Sequence, residues 1–364
     1  MRVWDKIRTQ VKGFTRSIKG FALLFVMGLS FSLVALSNTN PSFAIKSDSQ
    51  LIAQNKNVEI TLVSFAVTKA AHDAIIPKFV QKWKKETGQN VTFKKSYGGS
   101  GSQTRAVIDG LQADVVHLAL AADTNKITQA GLINPGWEKE VPNNGIVSKS
   151  VAAIVTRAGN PKGIKNWSDL GKSGVKVITA DPKTSGVARW NFLALWNAGL
   201  KSGGESKALQ LVTNVYKNVP ILAKDAREAT DIFYKQGQGD ALINYENEIL
   251  LADQRIADLP YIIPSVNISI DNPIAVVDKN VDKHGNRKVA EAFVKYLFTP
   301  EAQKEFAKIG FRPVNSAVAG EFASKYPRIN QLATIQDFGG WDAVQKKFFA
   351  AGGTFDRIQS QIKR

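Results

Sequence analysis

Three stretches of this chain share one construction: a β-rich run, a tight turn built from Gly, Ser, Thr or Asp, and then a helix-forming run. The first is Ser96-Tyr97-Gly98-Gly99-Ser100-Gly101-Ser102-Gln103-Thr104-Arg105, the second Thr184-Ser185-Gly186-Val187-Ala188-Arg189-Trp190, and the third, weaker, Asp225-Ala226-Arg227-Glu228-Ala229-Thr230. Glycine lets a backbone turn tightly and come close to a neighbour, and Ser100 or Ser102 is placed to cap a helix that begins within a residue or two. A helix start presents unbonded N–H groups and the positive end of the helix dipole, so it attracts an anion. One such joint says little, because strand–turn–helix connections are common in α/β proteins. All three, however, follow predicted strands, and ligands of open α/β sheets sit beyond the carboxyl ends of the strands. If the three starts converge, they cage a small anion with uncharged donors.

The remaining pattern is α/β. Residues 58–65 and 91–95 read as strands, and 69–87 between them as a helix with Ala74, Ile75, Phe79 and Trp83 on one stripe and Gly88 as its stop. A short helix over 102–111 and a buried strand over 115–120 complete a first unit. A second unit has strands at 151–157, 175–179, 219–222 and 241–245, with helices at 187–199, 205–218, 225–236 and 246–255 between and after them. Residues 262–264 and 272–278 then read as strands returning to the first unit, followed by helices at 287–298 and 300–309 and a helical tail. A chain that leaves one α/β unit and comes back predicts two lobes, each a mostly parallel sheet flanked by helices, with ligand in the cleft between them. The expected division is 45–149 plus 265–316 for one lobe, 150–264 for the other, and 317–364 as a helical segment packing across both.

The N-terminus has the layout of a secretory signal. Residues 1–20 are basic, 21–36 form an apolar run, and Ser42-Phe43-Ala44 supplies small residues at the cleavage positions. The competing reading is a membrane anchor, for which the run is short; cleavage after Ala44 and a periplasmic mature chain are expected. Six basic residues and one acid in 1–44 account for +5 of the net charge of +17, leaving +12 for the rest. Those lysines and arginines are scattered singly or in adjacent pairs such as Lys84-Lys85 and Lys94-Lys95, and no run of five or six follows residue 44. This is a solvated surface rather than a nucleic-acid footprint.

The absence of cysteine removes disulfides, thiol catalysis and thiolate metal sites. Neither glycine loop is a Walker or dinucleotide motif. Ser100 invites a serine-hydrolase reading, a sulfatase or phosphatase acting on an anionic ester, but Gly98-Gly99-Ser100-Gly101-Ser102 lacks the closing glycine of a nucleophile elbow. Only His72, His117 and His284 are available as bases, and no two have metal-ligand spacing. No metal or cofactor is expected.

Taken in order, Ser96-Tyr97-Gly98-Gly99-Ser100-Gly101, Pro182-Lys183-Thr184-Ser185-Gly186-Val187-Ala188-Arg189-Trp190, Glu246-Asn247-Glu248, Phe338-Gly339-Gly340-Trp341 and Gly352-Gly353-Thr354-Phe355-Asp356 span most of the chain after the leader. Together they resemble the periplasmic sulfate-binding proteins of ABC-type sulfate/thiosulfate uptake systems, of the type II periplasmic binding protein family. The resemblance implies a monomeric binding protein, not an enzyme, that buries sulfate or thiosulfate between its lobes and delivers it to permease subunits in the inner membrane. Carried over by position, the anion's partners would be the N–H of Ala66, the Ser100 site, the Ser185 hydroxyl, the N–H groups of Gly186 and Val187, the N–H of Ala226, and Tyr245. Tyr245 stands where the family has a tryptophan indole in a Trp-Glu-Asn-Glu motif, and a tyrosine hydroxyl also donates. Val187 replaces a frequent glycine and Ala66 an aspartate that acts through its backbone.

Overall fold

The computed structural model describes residues 57–326 and 328–362; the leader expected over 1–44 lies outside them. Strand β1 (Asn57–Phe65) pairs in parallel with β2 (Asn90–Gly98) and β3 (Val115–His117). Strand β4 (Ile146–Ser150) then closes its part of the first sheet, and the chain crosses through Val151 into β5 (Ala152–Thr156) of a second sheet. There β6 (Val177–Ala180) lies between β7 (Leu222–Ala223) and β8 (Ala241–Tyr245), parallel to both, while β9 (Tyr261–Ile262) flanks β5. The chain returns through β10 (Val266–Ile268) to β11 (Ile270–Val276) of the first sheet. The strand orders are β2-β1-β3-β11-β4 and β7-β6-β8-β5-β9, and in each sheet a single strand, β11 or β5, runs against the other four.

Helices cover both sheets. Helix α1 (Lys69–Thr87) buries Ile75, Phe79 and Trp83 as its stripe requires, and ends at Gly88, whose φ of 72° suits a glycine. Helix α2 (Ser100–Ile108) follows β2, and α3 (Ala121–Gln129) follows β3. Helix α4 (Gly186–Lys217) follows β6 and buries Trp190, Phe192, Leu193 and Trp196. As expected, two helical stretches lie here: the backbone leaves helical geometry at Gly203 (φ 163°, ψ 35°) and Gly204 (φ 80°, ψ −168°), which breaks α4 in two. Helices α5 (Ala226–Thr230) and α6 (Glu246–Arg255) follow β7 and β8, and α5 runs on into a wider turn over Asp231–Lys235. The tail departs from the expected all-helical run. It is helical in short pieces and also forms a strand, β12 (Gln331–Ala333), parallel to β10.

The two crossing segments are tied to each other. The Asn267 amide accepts from the Ala152 N–H (3.1 Å) and donates to the Ala152 carbonyl (2.8 Å). Every loop after β1, β2, β6, β7 and β8 lies at a carboxyl strand end, and the cleft between the sheets is where they gather.

Candidate functional site

The three turns singled out in the sequence meet at Gly99. A methyl group added there would lie 2.5 Å from the Thr184 carbonyl oxygen in the second turn and 3.0 Å from the Lys224 carbonyl oxygen in the third. Its φ of −62° is ordinary, so glycine is required by close approach and not by backbone conformation. The Ser102 N–H donates to the Thr184 carbonyl (3.3 Å), and the Thr184 hydroxyl to the Lys224 carbonyl (2.8 Å). Gly186 is equally confined: a methyl group there would stand 2.4 Å from the Ala119 Cβ and 3.3 Å from the Ser100 Cβ.

Ser100, Gly186 and Ala226 are the first residues of α2, α4 and α5, and Val187 is the second of α4. N–H groups in the first turn have no partner four residues back within their own helix. Ala66 opens the one-turn helix between β1 and α1. Ser185 is the residue before α4; its N–H donates to the Asp181 carbonyl (2.9 Å), and its buried hydroxyl does not cap the helix.

Neither Ser100 nor Ser102 caps α2; Gly99 holds the cap position. The Ser100 hydroxyl donates to Asp123 Oδ2 (2.7 Å) and accepts from the Ala119 N–H (3.0 Å). That leaves its backbone N–H as the group able to face a ligand. The same geometry removes the serine-hydrolase reading. The hydroxyl bonds to no histidine, and its carboxylate partner is held by Arg189 Nη1 at 2.7 Å, with Lys126 Nζ at 3.6 Å. Burial alone would push Asp123 up; Arg189, Lys126 and the Ser100 hydroxyl outweigh it and hold the carboxyl below its usual range. Asp123 belongs to α3 on the first sheet and Arg189 to α4 on the second, so this buried pair crosses the cleft. Sequence reading missed it, since 66 positions separate the two and nothing in Ala121-Ala122-Asp123 marks a partner.

Tyr245 ends β8 and is 1% exposed, and its hydroxyl is enclosed without a hydrogen-bond partner. Its ring meets that of Phe65, the residue before Ala66, edge-on at 6.1 Å. Burial first, and then the Asp123 charge, raise its phenol, so the hydroxyl stays protonated. A buried hydroxyl with no partner costs about 1–3 kcal/mol unless something accepts its proton.

Behind the Ala66 turn, His72 Nε2 lies 3.1 Å from His117 Nδ1, and His72 Nδ1 3.2 Å from the Tyr97 hydroxyl. Burial pushes the His72 imidazole down from 6.5 to about 3 and holds His117 well below its ordinary value. The unfolded chain protonates both rings near pH 6.5 while the fold does not. Their contribution is therefore intact above that pH and is lost as pH falls, at ~1.4 kcal/mol per ring per unit. Glu248, raised to about 7 by burial, titrates in the opposite sense. The clean measurement is a comparison: between about pH 6.5 and about pH 5, urea unfolding of wild type is expected to lose ~1.4 kcal/mol per unit more than His72→Gln. Equal slopes would show that His72 is not kept neutral.

Two sheet-plus-helix lobes joined by crossing strands, with the turns before α2, α4 and α5 meeting between them, are the arrangement of a two-lobed periplasmic binding protein. The family model for the bacterial extracellular solute-binding protein matches residues 60–312, and the chain belongs to that family. It is 60% identical over 307 residues to the sulfate-binding protein of Synechococcus elongatus, covering 84% of this chain and 87% of that one. It is 54% identical over 347 residues to the sulfate-binding protein of Synechocystis, covering 95% and 97%. Among solved structures it resembles the sulfate-binding protein SubI from Mycobacterium tuberculosis H37Rv, with a TM-score of 0.75, 38% identity, and coverage of 80% of this chain and 99% of that chain.

Proposed function

We propose that this protein captures sulfate, or its close relative thiosulfate, between its lobes outside the inner membrane and hands it to the permease subunits of an ABC transporter. The observation that carries the reading is the enclosed, unpartnered Tyr245 hydroxyl, which feels the charges of Asp123, the partner of the Ser100 hydroxyl, and of Arg189. The donors are the N–H groups of Ala66, Ser100, Gly186, Val187 and Ala226 and the hydroxyls of Ser185 and Tyr245. The lobes are 45–149 with 265–316 and 150–264, the segment 317–364 packs across them, and the leader is cut after Ala44 to release a periplasmic monomer.

Burying a dianion is costly unless donors replace its water. Here the donors are neutral, and the one buried ion pair nearby cancels its own charge. Inorganic phosphate has one more ionisable proton than a phosphate monoester, whose second is lost at roughly pH 6, so near neutral pH it still carries at least one. A lining made chiefly of N–H groups disfavours that proton, since only the Ser185 and Tyr245 hydroxyls could accept from it. Titration calorimetry with sulfate, thiosulfate, phosphate and molybdate tests the reading, and phosphate bound as tightly as sulfate would overturn it. Ser185→Ala is expected to weaken sulfate by roughly 1.5–3 kcal/mol, the range for a hydrogen bond to a charged group; unchanged affinity would remove the second turn from the site.

A further inference from the structure

The motif Phe338-Gly339-Gly340-Trp341 has no place among the anion's partners, yet the structure sets it against the cleft. Gly339 and Gly340 both have φ of 82°, a left-handed pair that turns the chain sharply into the short helix Gly340–Val344. That helix lies against α3 of the first lobe. Its Trp341 meets the second lobe's Trp190 edge-on, with ring centroids 4.7 Å apart and planes at 77°. Trp190 is fully buried one turn into α4, and its indole N–H donates across the cleft to the Ala119 carbonyl at 2.8 Å. Ala119 is the same residue whose N–H fixes the Ser100 hydroxyl.

The segment carrying Trp341 is fastened on both sides. Upstream, β12 pairs with the crossing strand β10. Downstream, Phe348 packs on Phe192 and Trp196 at 5.4 and 4.9 Å, and Asp356 pairs with Lys183 of the second turn at 2.9 Å. An edge-to-face pair favours a set angle between the rings, and the 2.8 Å bond from the Trp190 indole N–H to the Ala119 carbonyl is directional.

We infer that Trp341 is a positioning residue for cleft closure: it holds Trp190 in the orientation that donates across to Ala119, and so slows release of the bound ion. This rests on the proposed anion capture only for its choice of ligand. Closure can be read without ligand, because the chain has no cysteine. Dyes on Leu111→Cys and Leu209→Cys, exposed positions in the first and second lobes, report the closed population by energy transfer.

The test is a double-mutant cycle of Trp341→Ala and Trp190→Phe on the full mature chain, with stopped-flow release of sulfate and the dye pair as readouts. Each single change is expected to raise the release rate roughly tenfold and to reduce the closed population. The double variant is expected to match Trp190→Phe alone, since both remove one bond. A merely structural role would lower the melting temperature and multiply the two effects. Trp341→Phe, which keeps a ring against Trp190, is expected to fall between wild type and Trp341→Ala, and it carries the test if Trp341→Ala does not fold. Unchanged release and closure in the Trp341 variants, or multiplicative effects, would overturn the inference. Wild type that closes normally but ignores sulfate would instead count against the ligand assignment, with the dye readout still deciding the role of Trp341.

Discussion

Gly99→Ala is expected to cost sulfate affinity about 100-fold or more while leaving the ligand-free protein as stable as wild type. Alanine is comfortable at φ −62°, ψ 134°, so the substitution does not strain its own turn. What it meets is the backbone of the opposite lobe, with the Thr184 carbonyl oxygen at 2.5 Å and the Lys224 carbonyl oxygen at 3.0 Å. Overpacking a tight contact costs about 1–3 kcal/mol, with the upper end for groups that cannot rotate away. A carbonyl fixed between a strand and a helix start is such a group. The lobes can relieve the clash by parting, which separates the donors and lowers affinity, since closure around ligand is the motion such folds use. Thermal unfolding without ligand and calorimetry with sulfate separate the two effects. Gly320→Ala, where a methyl group meets nothing within 4 Å, is the matched control. Wild-type affinity in Gly99→Ala would mean that the lobes do not close as tightly in solution as they do here.

The same glycine shows what a single sequence reveals. Its role was legible as close approach at a turn, because glycine lets a backbone come near a neighbour and two other turns of the same construction offered candidates. The partner of that approach was not legible, because the contacts come from positions near 184 and 224 that only the fold brings together. Ser100 illustrates the opposite error. A serine at a helix start reads as a cap, but Gly99 holds the cap position and the Ser100 hydroxyl is taken by Asp123, a residue whose own surroundings in the sequence are plain. Strands and helices of the first unit were placed closely because α1 has a clean stripe and a glycine stop. The break expected between residues 199 and 205 was legible, and it falls at Gly203 and Gly204, where the backbone is not helical. The tail was the least readable part. Gln331-Leu332-Ala333 is too short for period-two alternation to register, and it becomes β12 only because β10 offers an edge.

Arg189→Met is the second substitution with a large expected effect, and its cost should fall on closure. Methionine keeps most of the arginine's length and apolar stem while removing the charge. Asp123 is then left fully buried with the Ser100 hydroxyl at 2.7 Å and Lys126 Nζ, its remaining cation, at 3.6 Å. Removing one partner of a buried pair costs about 3–5 kcal/mol. Asp123 and Arg189 belong to opposite lobes, so opening the cleft lets water reach the abandoned carboxylate, and the penalty applies to the closed state. At about 1.4 kcal/mol per decade, sulfate affinity should fall by ~10²–10³, with a smaller change in ligand-free stability. The variant should also become acid-rescued. Without Arg189, burial is left to push the Asp123 carboxyl up, so lowering the pH protonates it, and the neutral acid no longer opposes closure or repels the dianion. Wild type, whose carboxyl is held below the usual range, has no such recovery. Affinity that drops in Arg189→Met but stays flat as pH falls would mean the arginine acts through packing alone; affinity that does not drop would show that the pair contributes nothing to holding the lobes together.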